Sequence, residues 1–166
     1  GARVWTILAG CLLLACRSNG SSEAEPVGSG PTSSGETAEV SCAADSRVSP
    51  FQPGLSATGP HGFTVTIEQS TPMPPAIGDN LWDIVVTGDD GASLAGATLR
   101  VVARMPDHGH NSPKTPTAST TDEAGKASIS NLDLFMAGVW QIELEITAAG
   151  ATSPSDTAVF TFCVEG

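Results

Sequence analysis

Beyond its first forty residues this chain reads as all-β, an immunoglobulin-like antiparallel β-sandwich of about seven strands. Three observations predict that class. No stretch after residue 42 keeps a helical period, apolar and polar residues alternate again and again, and polar or glycine-rich turns separate the runs. Alternation in steps of two sends successive side chains to opposite faces, so each sheet has one apolar face to bury. Two such sheets must close on each other.

The strands follow in order. Phe63, Val65 and Ile67 alternate with Thr64, Thr66 and Glu68. Pro72, Pro74 and Pro75 cannot donate to a ladder and belong to a connection or an edge. Leu81 to Thr87 is a short apolar run closed by the turn Gly88-Asp89-Asp90-Gly91. The Gly78-Asp79-Asn80 stretch before it is structural, because Asp and Asn build turns by bonding nearby backbone. Leu99, Val101 and Ala103 alternate with Arg100, Val102 and Arg104. A strand is expected across Lys114 to Thr121, and another from Ala127 after Glu123-Ala124-Gly125. Trp140, Ile142, Leu144 and Ile146 alternate cleanly, and Ala158, Phe160, Phe162 and Val164 form the last run. No internal repeat appears.

Residues 1–16 read as an export signal rather than as part of a fold. Arg3 is basic, and Val4 to Ala15 is nearly all apolar, about a dozen residues, too short to span a bilayer but right for a signal h-region. Leu13-Leu14-Ala15-Cys16 resembles the bacterial lipobox, whose Cys is lipidated, so Cys16 is the expected anchor. Leu8-Ala9-Gly10-Cys11 fits the same pattern, and residues upstream of Gly1 would favour it. Residues 17–41 are Ser, Gly, Glu, Pro and Thr with almost nothing to bury, a composition that cannot offset its ordering entropy. The expected layout is a lipid-anchored, exported protein, held off the bacterial cell envelope on its periplasmic or extracellular face by a tether. Residues 42–166 are the size of one domain.

Composition excludes some partners. A formal net charge of −11 argues against nucleic acid, which needs a basic face. With no Tyr and few aromatics, a stacking surface for sugars or bases is not expected. Setting aside the signal-region thiols leaves Cys42 and Cys163 at opposite ends of the domain, in a compartment that permits disulfides. A bridge would close a loop of about 120 residues, worth roughly 4–5 kcal/mol as an upper figure. The rival reading is a pair of metal-binding thiols, though such ligands usually arrive as close pairs.

The chemistry, if there is any, lies in Met105-Pro106-Asp107-His108-Gly109-His110. It holds two of the three histidines in the chain, beside a thioether and a carboxylate, directly after a strand. At i and i+2 around a glycine, both rings can point to one side. Imidazole suits copper, zinc and nickel, and thioether adds a preference for Cu(I). A tight site needs three or four ligands. Met105, Asp107, Met136 and His61 are the candidates to complete it, His61 being the weakest. Parity cuts against Met105, which continues the Leu99, Val101, Ala103 series and would face the core unless a bulge before Pro106 released it. The bland alternative is a polar turn with solvated histidines.

Three stretches carry a resemblance. They are Pro75-Ala76-Ile77-Gly78-Asp79-Asn80-Leu81-Trp82, then Ala103-Arg104-Met105-Pro106-Asp107-His108-Gly109-His110, then Leu134-Phe135-Met136-Ala137-Gly138-Val139-Trp140-Gln141-Ile142 ahead of the closing Phe160 to Val164. Together the residues, spanning 61–164, resemble the YtkA-like group of exported bacterial domains, related to the FixH-like ones. The resemblance implies a small β-sandwich that handles copper outside the cytoplasm, and it bears on Met105, His108, His110 and Met136. Asn111 stands where the family often has glycine, and His108 where many members have methionine. A second imidazole moves preference from thioether Cu(I) toward mixed chemistry that includes Cu(II).

No catalytic constellation is present: no G-x-S-x-G elbow, no H-E-x-x-H helix and no phosphate-cradling loop. An enzyme is not expected. The leading expectation is a module that buffers or delivers copper near a membrane oxidase, a transporter or another extracytoplasmic copper protein. His108 and His110 would bind as neutral imidazoles, with Met105 and Met136 as weak soft ligands. Binding should fade as pH falls through the imidazole range, near ~6.5 when unperturbed. The alternative is a metal-free interaction module docking a cell-envelope protein through loops or an edge strand. An electron-transfer copper site would need a free Cys163 beside the two histidines.

Overall fold

The computed structural model describes residues 41–166. The expected export signal, both lipidation candidates (Cys11 and Cys16) and the expected tether through residue 40 lie outside the described residues. Among the described residues nine strands form: β1 (Ser56–Thr58), β2 (Thr64–Thr71), β3 (Gly78–Thr87), β4 (Thr98–Met105), β5 (His110–Asn111), β6 (Thr117–Ala118), β7 (Lys126–Leu134), β8 (Gly138–Thr147) and β9 (Asp156–Val164). Every pairing is antiparallel, in one sheet of order β1-β2-β3-β7-β6 and another of order β5-β4-β8-β9. The expected β-sandwich is what the chain builds, with no α-helix among the described residues.

The strand count exceeds the expected seven because β1 and β5, two to three residues long, carry too little pattern to see in sequence. The strand expected across Lys114 to Thr121 shrinks to Thr117–Ala118. Pro113 and Pro116 lack the N–H that a longer ladder would need.

The two apolar faces meet around aromatic rings. Trp82 of β3 packs across the sandwich on Phe160 and Phe162 of β9, with centroids 5.9 and 5.7 Å apart. Phe51 closes over Trp82 and Phe162 at 5.8 and 5.5 Å. Trp82, Trp140 and Phe162 are fully buried. Burying a large apolar side chain contributes roughly 1.5–3 kcal/mol before entropy is counted, so these rings dominate the core.

Two local features shape one end of the sandwich. Between Asn80 and Trp82 the β3–β7 register slips by one, and β7 absorbs the extra residue at Asn131, whose φ is +56°. Asn tolerates that left-handed conformation better than most residues, so the bulge is cheap there. Asn80 is buried and satisfied. Its Nδ2 donates to the carbonyls of Ala76 and Gly78 at 2.8 Å, and its Oδ1 accepts from the Ala76 N–H at 3.1 Å. Asn80 thus bonds nearby backbone as expected, but Gly78-Asp79-Asn80 opens β3 instead of forming a turn, and Asp79 accepts from Lys114 Nζ. Cys42 and Cys163 form a disulfide, with Cα atoms 5.3 Å apart, tying the entrance of the domain to its last strand. That removes Cys163 as the free thiolate an electron-transfer copper site would require.

Candidate functional site

Strand register sorts the histidines into two ends. β4 ends at Met105, β7 ends at Leu134 beside the start of β3, and Gly138 of β8 pairs with Val164 of β9. The His108–His110 turn, Met136 and the disulfide therefore share one end. His61 precedes β2 and contacts Asp156, the first residue of β9, at the other end. Eight strand steps of about 3.3 Å place it roughly 26 Å from Val164. His61 is not brought to the candidate site.

At the His108–His110 end the chain leaves β4 after Met105, turns through residues 106–109 and returns as β5, Met105 pairing with His110. Gly109 supplies the turn with φ +68°, and its N–H donates to the Met105 carbonyl at 3.0 Å. Both imidazoles are exposed, with ring centroids 5.6 Å apart. Two imidazoles on one tetrahedral ion, each with a metal–nitrogen bond of about 2.0 Å, put their centroids roughly 5 Å apart. The spacing fits two ligands of one ion. His110 also leans on Phe135 at 5.3 Å, and Phe135 meets Trp140 edge-on at 5.7 Å, so its ring is backed by the core.

The methionines divide. The β4–β8 ladder runs unbroken to Arg104, so no bulge frees Met105, and its side chain is 1% exposed in the core as parity predicted. It nevertheless borders a cavity of about 920 Å³ that Cys42, Asp107, His108, Gly138 and Glu165 also line. A Cβ on Gly138 would come within 2.6 Å of Met105 Cε, and φ there is +135°. Glycine is what lets the methionine lie against the cavity floor. Met136 packs partly buried against the core, and its carbonyl accepts a hydrogen bond from Trp140 Nε1 at 3.0 Å. It does not line that cavity.

Asp107 is already engaged. Arg47 donates Nη1 to Asp107 Oδ1 and Nη2 to Oδ2, both at 2.7 Å, while also gripping Asp45. Hydrogen bonds from Arg47 hold the Asp45 carboxyl down at about 2 and keep Asp107 below the usual carboxylate range. Sequence reasoning missed Arg47 because it lies 60 positions from Asp107, in a segment without a periodic signal. Among the described residues, no group of three or more His, Cys, Asp or Glu side chains is arranged to hold a metal ion.

A model of YtkA-like domains matches residues 59–145, more than half of the chain. The chain belongs to the YtkA-like family. No curated protein and no solved structure matches it. The matched span holds Met105, His108, His110 and Met136 and stops inside β8, whereas the resemblance seen in the sequence ran on to residue 164. Arg47, the disulfide and β9 thus lie outside the matched part of this YtkA-like protein.

Proposed function

We propose that this YtkA-like domain is a non-enzymatic, lipid-anchored, extracytoplasmic copper-binding module that buffers or delivers the ion near the membrane. The observation carrying this reading is the His108–His110 pair, 5.6 Å between rings on an exposed turn. His108 borders the same cavity as Met105, which supports a thioether as a third, soft ligand. Two imidazoles and a thioether suit copper better than hard, oxygen-seeking ions. Few ligands on an exposed turn also suit an ion that must be handed on. Met136 is the weaker sulfur, since its backbone is tied to Trp140 and it lies off the cavity. The Cys42–Cys163 disulfide agrees with an exported domain, because such bridges persist in oxidising compartments. Recipients in keeping with this reading are an extracytoplasmic copper protein, a transporter or a membrane oxidase.

The test is a titration of the protein with Cu(I) and with Cu(II) against competing chelators, beside a His108→Ala/His110→Ala variant. One equivalent should bind to wild type, and the variant should lose at least about a hundredfold in affinity. Equal, weak binding by both proteins would sink the copper reading. A second reading then gains, a metal-free module docking a cell-envelope protein. It is favoured by four exposed apolar side chains at this end: Met73, Ile77, Leu81 and Phe135.

A further inference from the structure

Asp107 adjoins His108 in the chain and borders the same cavity, so its carboxylate is an oxygen ligand within the same turn for an ion at His108. Both of its oxygens are instead occupied by Arg47, at 2.7 Å each, in the planar fork geometry that a guanidinium matches best. Arg47 also donates to Asp45, from Nε at 3.0 Å and Nη2 at 2.6 Å, and its backbone N–H donates to Asp45 Oδ1 at 2.9 Å. The guanidinium is thus held from behind while it holds Asp107.

Its base is anchored too. Arg47 lies five residues after Cys42, which is bonded to Cys163 of β9, and two residues before Ser49, whose N–H donates to the Thr161 carbonyl at 2.8 Å. An exposed ion pair adds little to stability by itself. What this one holds is the position of a carboxylate.

We propose that Arg47 sets the metal preference of the His108–His110 turn by withholding Asp107 from an ion bound there. This rests on the copper reading of the turn and adds the residue that governs selectivity. With Asp107 and Asp45 both held by Arg47, the imidazoles, the thioether and the Glu165 carboxylate are the donors left around the cavity. With Asp107 released, the turn offers two imidazoles and one carboxylate, a set that serves Zn(II) and other borderline divalent ions. Arg47 and Asp45 both precede the span matched to the family, so the clamp is a property of this chain beyond that match.

The experiment compares the full chain as wild type, Arg47→Leu and Arg47→Leu/Asp107→Asn, each titrated with Zn(II) and Cu(I) against competing chelators. Leucine removes the guanidinium without adding a donor atom. Arg47→Leu should bind Zn(II) about tenfold more tightly than wild type, with Cu(I) affinity within about twofold. Adding Asp107→Asn should return Zn(II) to the wild-type value, a reversal that loss of structure would not produce. Equal Zn(II) affinity in wild type and Arg47→Leu overturns the proposal, as does a gain that survives Asp107→Asn. If wild type binds no copper, the copper reading fails separately. A Zn(II) gain in Arg47→Leu that Asp107→Asn abolishes then still supports the clamp, and no gain sinks both.

Discussion

The two ends of the sandwich treat a histidine and its neighbouring carboxylate in opposite ways. At the β9 start, Asp156 has a fully buried side chain that accepts from the N–H groups of Phe63, His61 and Thr157 at 2.9, 3.1 and 2.8 Å. The His61 ring, mostly exposed, rests its Nδ1 3.4 Å from that carboxylate. Gly59 is open enough to admit it, since a Cβ there would collide with Asp156. At the other end Asp107 is exposed and taken by Arg47, and the two rings beside it face solvent. One carboxylate organises backbone and belongs to stability. The other is restrained by a cation, and the imidazoles next to it stay available for a ligand.

The largest effect expected from breaking this contrast is at Asp156. Asp156→Ala strands three backbone donors and should cost about 3 kcal/mol in urea unfolding, with copper affinity unchanged. The same carboxylate predicts a pH response. Burial alone would push it up, but the amides of Thr157, Phe63 and His61 outweigh burial and hold it below the usual range. A carboxylate depressed in the folded state contributes stability above its unfolded value, near ~3.9, and that contribution is lost as pH falls through the folded one. Acid unfolding of wild type should therefore steepen below about pH 4 and be weaker in Asp156→Ala, where the amides are already unpartnered.

Met105→Leu sharpens the comparison at the other end. The swap nearly conserves volume and should cost less than about 1.5 kcal/mol in a thermal melt. If the thioether reaches an ion through the cavity, Cu(I) affinity should fall about tenfold while Cu(II) affinity holds, because only the softer ion prefers sulfur. An unchanged Cu(I) affinity would leave Met105 as core alone. The smallest effect is expected from His61→Ala, within about 0.5 kcal/mol of wild type and without change in metal binding. Any loss of copper there would contradict the separation of the two ends.

Much of the fold was legible from particular residues. The alternation in Trp140 to Ile146 and Ala158 to Val164 marked β8 and β9, and the parity of Leu99, Val101 and Ala103 foretold the burial of Met105. The short strands β1 and β5 escaped, since two or three residues carry no period. In the site, the spacing of His108 and His110 around Gly109 was readable because a local turn brings them together. Rejection of His61 was not readable, as it depends on which strand ends coincide.

By itself, the sequence determined the all-β class, the inward faces of its long strands and the exposed imidazole pair, because period-two alternation and turn chemistry act over a few residues. Only the tertiary structure decided that Met105 borders a cavity with His108 and that Arg47 holds Asp107. Each of those contacts joins segments separated by tens of residues or depends on which side chains border a shared cavity. Strand order and register set them, and no local pattern records either.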